Sequence, residues 1–198
     1  DKFYMTYSRD RPNELIPWIE NNNVPLLTNA LHRYSSNTDQ FMDMWEYDTD
    51  HVIDAGGYNV QSTYADRWGN LKTEEKDIRE ELDSESPFYP WSVTEYNQWL
   101  ENHSNEIEWA SVMDYACEDR FDNLWSVEDR VDATIENTIK HYDQNPSYEV
   151  LPVLQGRSID SYIDSYERLE DAGIKPNVIG LGTVCRLSST EEILKVES

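Results

Sequence analysis

Cysteine is scarce. Cys117 and Cys185 are the only two in 198 residues, 68 positions apart and without a CxxC partner. That spacing argues against a disulfide framework or a thiolate zinc site and fits a reducing interior. Long apolar runs are missing as well: stretches such as Val150-Leu151-Pro152-Val153-Leu154 fall far short of the ~20 residues a membrane-crossing helix needs, so the chain reads as soluble. No basic segment followed by an apolar core opens the sequence, and Asp1 rather than Met stands first, as a trimmed N-terminus would leave it. GxSxG, P-loop, HExxH and GxGxxG signatures are absent, and His32, His51, His103 and His141 fall at no metal-ligand spacing. Neither a metal nor a cofactor is implied. His141, near a helix end, is expected at the surface.

Positive charge is short too. The chain carries 40 acidic side chains against 16 basic ones, a net charge of −24, and only six residues are lysine. Hydrophobic residues at 38% and aromatics at 12% still support a packed core, and residues 1–198 are expected to form a single domain. Such acidity ordinarily repels nucleic acid. Here the carboxylates are spread along the whole chain rather than gathered in a tail, the pattern of a protein adapted to molar salt. There the Debye length falls to about 3 Å and repulsion from a polyanion fades. An ordinary acidic protein is the other reading of the same composition.

Short buried-strand candidates alternate with helical stretches, which predicts an α/β protein with parallel strands. The strands are expected at Val24–Leu27, His51–Asp54, Trp109–Asp114, Glu149–Gln155 and Asn177–Leu181. Ser126 with acidic Asp129 three residues on looks like a helix start, followed by Val127, Val131, Ile135, Ile139 and Tyr142 at helical spacing. A second amphipathic helix is expected from Ser158, with Ile159, Tyr162, Ile163, Tyr166 and Leu169 on one face and a stop at Gly173. Thr94–Asn102 and Glu191–Val196 give weaker helical patterns, and Thr73–Glu85 is either an acidic helix or an exposed loop.

In parallel α/β architectures the ligand site gathers beyond the carboxyl ends of the strands. In this sequence those ends carry Asp54-Ala55-Gly56-Gly57-Tyr58, Asp114-Tyr115-Ala116-Cys117-Glu118, Gln155-Gly156 and Gly180-Leu181-Gly182-Thr183. Asp54 can serve as acid, base or nucleophile; a helix N-cap or Asx turn uses the same residue. Asp114 can accept two hydrogen bonds from an N–H pair such as the edge of guanine, or cap a loop. Gln155 can offer an amide to a purine carbonyl, or simply close a βα turn, and the glycine pair at 180 and 182 can cradle a base or phosphate. Two carboxylates, an amide and bare backbone in one pocket suit recognition of a polar heterocycle and displacement at a sugar carbon. Most of the seven tryptophans and thirteen tyrosines are expected in packing, with stacking on bases the alternative.

These residues are familiar in combination. Leu151-Pro152-Val153-Leu154-Gln155-Gly156, an amphipathic helix and then Val178-Ile179-Gly180-Leu181-Gly182-Thr183-Val184-Cys185-Arg186 resemble the deazapurine DNA-modification transglycosylases of phages, archaeal viruses and bacterial defence islands. That family is related to the tRNA-guanine transglycosylases. Asp54-Ala55-Gly56-Gly57-Tyr58 is similar to its D-S-G-G-F strand end, and Ile107-Glu108-Trp109-Ala110 leading to Asp114–Glu118 is similar to its third-strand segment. The resemblance covers roughly Val24 onward.

It implies a TIM-type (β/α)₈ barrel that exchanges guanine in DNA for a 7-deazaguanine such as preQ0 through a covalent sugar–enzyme intermediate, in the cytoplasm of a cell or of a virus's host. By position, Asp54 would be the catalytic acid/base. Asp114 would bind the N1/N2 edge of the purine, Gln155 its O6, and Gly180, Leu181 and Gly182 the backbone cradle. Gly56, Gly57, Tyr58, Cys117 and Gly156 would complete the base site. The target nucleotide would leave its stack to enter. The sequence departs from the family in holding only the first five βα units and in lacking both the later aspartate that acts as nucleophile in the tRNA enzymes and their zinc motif. A complementary C-terminal chain or a homo-oligomer would then complete the barrel. The rival readings are an archaeosine-type enzyme acting on tRNA and a non-catalytic fragment that binds base or partner.

Overall fold

Parallel strands covered on both faces read as short apolar runs, and the runs of this sequence pair that way. A computed structural model describes residues 5–6, 16–43, 49–70 and 86–184. Strands β1 (Met5–Thr6) and β2 (Leu26–Asn29) flank helix α1 (Ile16–Asn21). A 3-10 turn (Ala30–Arg33) and an antiparallel ribbon of β3 (Tyr34–Ser35) and β4 (Gln40–Phe41) follow. Next come β5 (His51–Asp54), α2 (Gly57–Asn70), α3 (Val93–Asn102), β6 (Ile107–Ser111) and a 3-10 turn at Asp119–Phe121. The chain continues through α4 (Val127–Asp143), β7 (Glu149–Leu151), β8 (Val153–Leu154), α5 (Ile159–Asp171) and β9 (Gly180–Leu181).

The central sheet has the order β1-β2-β5-β6-β7, every neighbour pair parallel. The expected strand from Glu149 to Gln155 is interrupted at Pro152, which has no N–H to give a ladder. Its first half stays in the main sheet, and its second half pairs with β9 in parallel. Two backbone bonds fix that join, Gly180 N to Pro152 O and Gly182 N to Leu154 O, each 2.8 Å. Sequence periodicity also missed β1 and the β3–β4 ribbon, and among the described residues the link from β2 to β5 carries no α-helix. The expected Thr73–Glu85 and Glu191–Val196 segments lie outside the described residues.

The helices follow their local chemistry. Ser92 caps α3 in a reciprocal capping box with Glu95, Ser126 caps α4 through the Asp129 N–H, and Ser158 caps α5 through the Ser161 N–H. Gly173 takes φ +81° to end α5, letting Ile174 N reach Leu169 O at 2.9 Å while its side chain joins the same apolar cluster as Leu169. The larger core lies between sheet and helices around Ile53, Tyr96, Leu100, Val112, Met113 and Tyr115, all fully buried. Aromatic rings fill much of it, as expected: Phe41 of the ribbon stacks on Trp99 at 4.6 Å and tilts against Trp91 at 4.7 Å, which ties the ribbon to α3. The smaller core packs Val131 and Ile135 of α4 against Tyr162 and Leu169 of α5.

Two expectations about helix faces need correction. His141 is 1% exposed rather than at the surface, packed edge-on to Tyr96 at 5.6 Å between ring centres. A single apolar stripe was expected on α5, but Tyr162 and Leu169 are buried while Ile159, Ile163 and Tyr166 are exposed, because the helix leans on α4 and β8 with one edge of that stripe only. Among the described residues no helix is long and apolar enough to cross a membrane.

Candidate functional site

Parallel register sets the strand tips side by side. Asn29 ends β2 directly opposite Asp54, which ends β5. Ser111 ends the neighbouring β6, and its hydroxyl accepts the Ala55 N–H at 2.9 Å. Asp114 stands three residues past that tip, Gln155 directly follows β8, and Gly182-Thr183 directly follow β9. Asn29, Asp54, Asp114, Gln155, Gly182 and Thr183 converge on a cavity of about 380 Å³, the size range of small-molecule sites. Asp54 and Asp114, from adjacent strands, both line it.

The turn after β5 makes this closeness possible. Gly56 adopts φ +87°, and a Cβ on Gly57 would sit 2.3 Å from the Asp114 carbonyl oxygen and 2.5 Å from its Oδ1. Only a bare Cα lets the start of α2 lie against Asp114. Asp54 is held by its own turn: Oδ1 accepts from Gly56 N at 3.0 Å and Oδ2 from Asn29 Nδ2 at 3.1 Å. Burial raises its carboxyl above the ordinary carboxylate range, and those two bonds oppose the shift. Asp114 is pushed up to about 7, first by burial and then by the negative charge of Asp54, with the Gln155 amide opposing. A carboxyl at that position changes charge near neutrality.

A polar relay runs along one wall. Gln155 Nε2 donates to Asp114 Oδ2 at 2.5 Å, Thr183 Oγ1 donates to Gln155 Oε1 at 2.6 Å, and Thr183 Oγ1 accepts from Cys117 N at 2.9 Å. Thr183 is β-branched yet sits at φ +65°, a strained conformation that the relay holds in place. Gly182 packs against the Gln155 amide, where a Cβ would come within 2.1 Å of Nε2.

The loop from Met113 to Glu118 is fastened mainly by a second, polar stripe of α4. Asn137 Nδ2 donates to Met113 O, Thr134 Oγ1 accepts from Tyr115 N, and Arg130, 0% exposed, donates to the carbonyls of Ala116 and Glu118. From α2, Gln61 bonds both the N–H and the carbonyl of Ala116. Arg157 donates to Cys117 O and pairs with Asp122, which also takes Arg130. The loop is therefore pre-organised rather than left to adjust on binding.

Of the residues named from sequence, Asp54, Gly56, Gly57, Tyr58, Asp114, Gln155 and Gly182 line the cavity together. Cys117, Gly156, Gly180 and Leu181 do not. The Cys117 thiol is buried behind the wall, contacts Tyr115 O and is pushed up to about 12, which leaves it un-ionised at neutral pH. Gly156 abuts Ser161 at the start of α5, Gly180 packs against Val153, and Leu181 lines a separate groove beside α5. Asn29, Asn59, Ala116, Glu118 and Thr183 also line the cavity; sequence reasoning placed Ala116, Glu118 and Thr183 at the strand ends without giving them a role, and did not name Asn29 or Asn59. Asn29 carried a readable signal, a polar side chain at the carboxyl end of an apolar run.

Fold and site thus define an α/β protein with an acidic, pre-organised cavity at the carboxyl ends of a parallel sheet. No protein-family model matches the sequence, and no curated protein matches it either. The chemistry of the cavity carries the functional reading.

Proposed function

We propose that the cavity takes a guanine-type base and that the chain is a transglycosylase exchanging guanine in DNA for a 7-deazaguanine. The observation that carries this reading is the joint placement of Asp54, Asp114 and Gln155 in one cavity, with Gln155 bonded to Asp114. Ionised Asp114 accepts both the N1–H and N2–H donors of guanine, a pair that adenine lacks. Gln155, whose Nε2 carries a second hydrogen, offers a donor to O6. Asp54, one strand over, would protonate the departing guanine as the sugar carbon exchanges that bond for one to a nucleophile from the complementary chain, and would then take the N9 proton of the incoming deazaguanine as its new bond to the sugar carbon displaces that nucleophile. The strand order supports a barrel: the parallel neighbours follow chain order, as in a (β/α)₈ barrel and unlike a doubly wound sheet, whose order reverses.

Incubation of the chain, alone and with the complementary chain that would supply the nucleophile, in molar salt with labelled 7-cyano-7-deazaguanine and either DNA or tRNA tests the reading. Label entering DNA is the expected result. Label entering tRNA alone would replace the DNA reading with the tRNA one, and label in neither would contradict transglycosylation. Asp54→Asn should slow exchange by ~100-fold or more, the usual contribution of a general acid/base.

A further inference from the structure

One edge of α5 carries apolar side chains that neither core uses. Ile159, Ile163 and Tyr166 are exposed along it, Ile163 by 49%. With Tyr162, Leu154 at the end of β8 and Leu181 of β9 they line a groove of about 310 Å³, separate from the cavity beyond the strand tips. Val178, in the link from α5 to β9, is exposed as well. A continuous apolar edge of this kind marks a contact surface rather than a face for water. β9 is open beside it: β8 pairs with one side of β9, and among the described residues no strand pairs with the other.

The chain itself supplies an occupant. Val184, the last described residue, packs against the smaller core just after β9, so residues 185–198 continue from beside the groove. In successive βα units the helix after a strand lies next to the helix before it. Ser189 and Glu192 have capping-box spacing, and Ile193, Leu194 and Val196 then share one side of a helix, with Glu191 and Lys195 at i, i+4 on the other. As a helix, residues 190–197 span about 12 Å, close to the roughly 10 Å of α5 between Ile159 and Tyr166. A second copy seated by two-fold symmetry would instead set Glu167 and Glu170 of the rim against their own equivalents, which like charge opposes. We propose that residues 190–197 form a helix that runs alongside α5 and seats Ile193, Leu194 and Val196 in this groove. The seat adjoins the cavity wall, because Tyr162 of the groove donates its hydroxyl to Gly182 O at 2.7 Å, next in chain to Thr183 of the relay. The docked helix braces the two-residue strand β9 and, through it, that wall. This role is independent of what the cavity binds.

Thiol cross-linking of the full chain tests the seat, in a Cys185→Ser background where the remaining Cys117 is buried. Ile163→Cys combined with Ile193→Cys should join within one chain under a short bis-maleimide, because packed helices lie about 8–10 Å apart. Asp164→Cys combined with Ile193→Cys, on a different face of α5, should stay unlinked. Peptide mass mapping reads both. Links between chains that rise with protein concentration would give the groove to a second copy, and no linkage, or equal linkage of the two pairs, would show that this segment does not sit there; each overturns the proposal. Thermal melts check it without cysteine: Ile163→Asp and Ile193→Asp should each lower the midpoint by at least about 3 °C, with little further loss when combined. A midpoint unmoved by Ile163→Asp, as for a side chain facing water, or losses that simply add, would contradict the seat.

Discussion

Two buried groups with displaced proton affinities, Asp114 and His141, push stability in opposite directions with pH. Asp114 is raised to about 7 from 3.8, so the folded chain holds a proton that the unfolded chain has released between those values, and stability falls as pH rises through that window. His141 is lowered to about 3 from 6.5 by burial alone, and among the described residues neither ring nitrogen has a hydrogen-bond partner. There the unfolded chain binds the extra proton, so stability falls as pH drops from 6.5 toward 3. Asp114→Asn should therefore stabilise the fold more at pH 8 than at pH 4, by roughly a few kcal/mol at the upper pH, and raise the thermal midpoint accordingly. His141→Phe should flatten the acid limb instead; thermal melts across pH 4–8 resolve the two, and equal effects at both ends would contradict the assignment. On the proposed reading, Asp114 is retained at a cost in stability because its charge binds the base. Residues at strand tips were legible because apolar runs end where polar groups begin. Asn29 offered the same signal at the end of β2, whereas the role of Glu118 was not legible because its place depends on a loop held by distant side chains.

At the level of the element, α4 carries more than its periodicity shows. Val127, Val131, Ile135, Ile139 and Tyr142 were readable as one apolar stripe, and they pack in the smaller core. Arg130, Thr134 and Asn137 form a second buried stripe, whose polar side chains hold the Met113–Glu118 loop. Hydrophobic spacing is silent about such a stripe, because polar residues on a helix usually face water. Arg130→Met should cost about 1–3 kcal/mol, because the Ala116 and Glu118 carbonyls and Asp122 each lose a charged donor while keeping Gln61, Phe121 N and Arg157 respectively, and should weaken base binding even where the fold survives at low temperature. Denaturant melts with parallel base titrations measure both, and a stable variant with unchanged affinity would show that the clamp does not position the loop. Gly57→Ala makes a sharper local case: its added methyl meets Asp114, so base affinity should fall at least tenfold while α2 itself is favoured by alanine. The interruption at Pro152 was visible as a residue but not as a strand break, because whether a missing N–H matters depends on which neighbour would have received it.

The whole molecule carries a charge of −24, and a polyanionic ligand must approach through that field. Screening at molar salt shortens its reach to about 3 Å. Folding stability should accordingly rise between 0.1 and 2 M KCl, and a flat or falling thermal midpoint would contradict adaptation to salt. The parallel sheet was legible as a class from alternating strands and helices. The β3–β4 ribbon was not, because two-residue strands gain their place from Phe41 and Tyr34 packing on Trp91 and Trp99, contacts more than 50 residues apart in the chain. The central claim is that one cavity reads the Watson–Crick edge of guanine through Asp114. Titration of wild-type protein with guanine and adenine at pH 6 and pH 8 tests it most directly. Guanine should bind, more tightly at pH 8 as Asp114 ionises, and Asp114→Asn should abolish both the binding preference over adenine and its pH dependence. Equal affinity for the two bases, or a guanine affinity indifferent to Asp114 and to pH, would contradict the account.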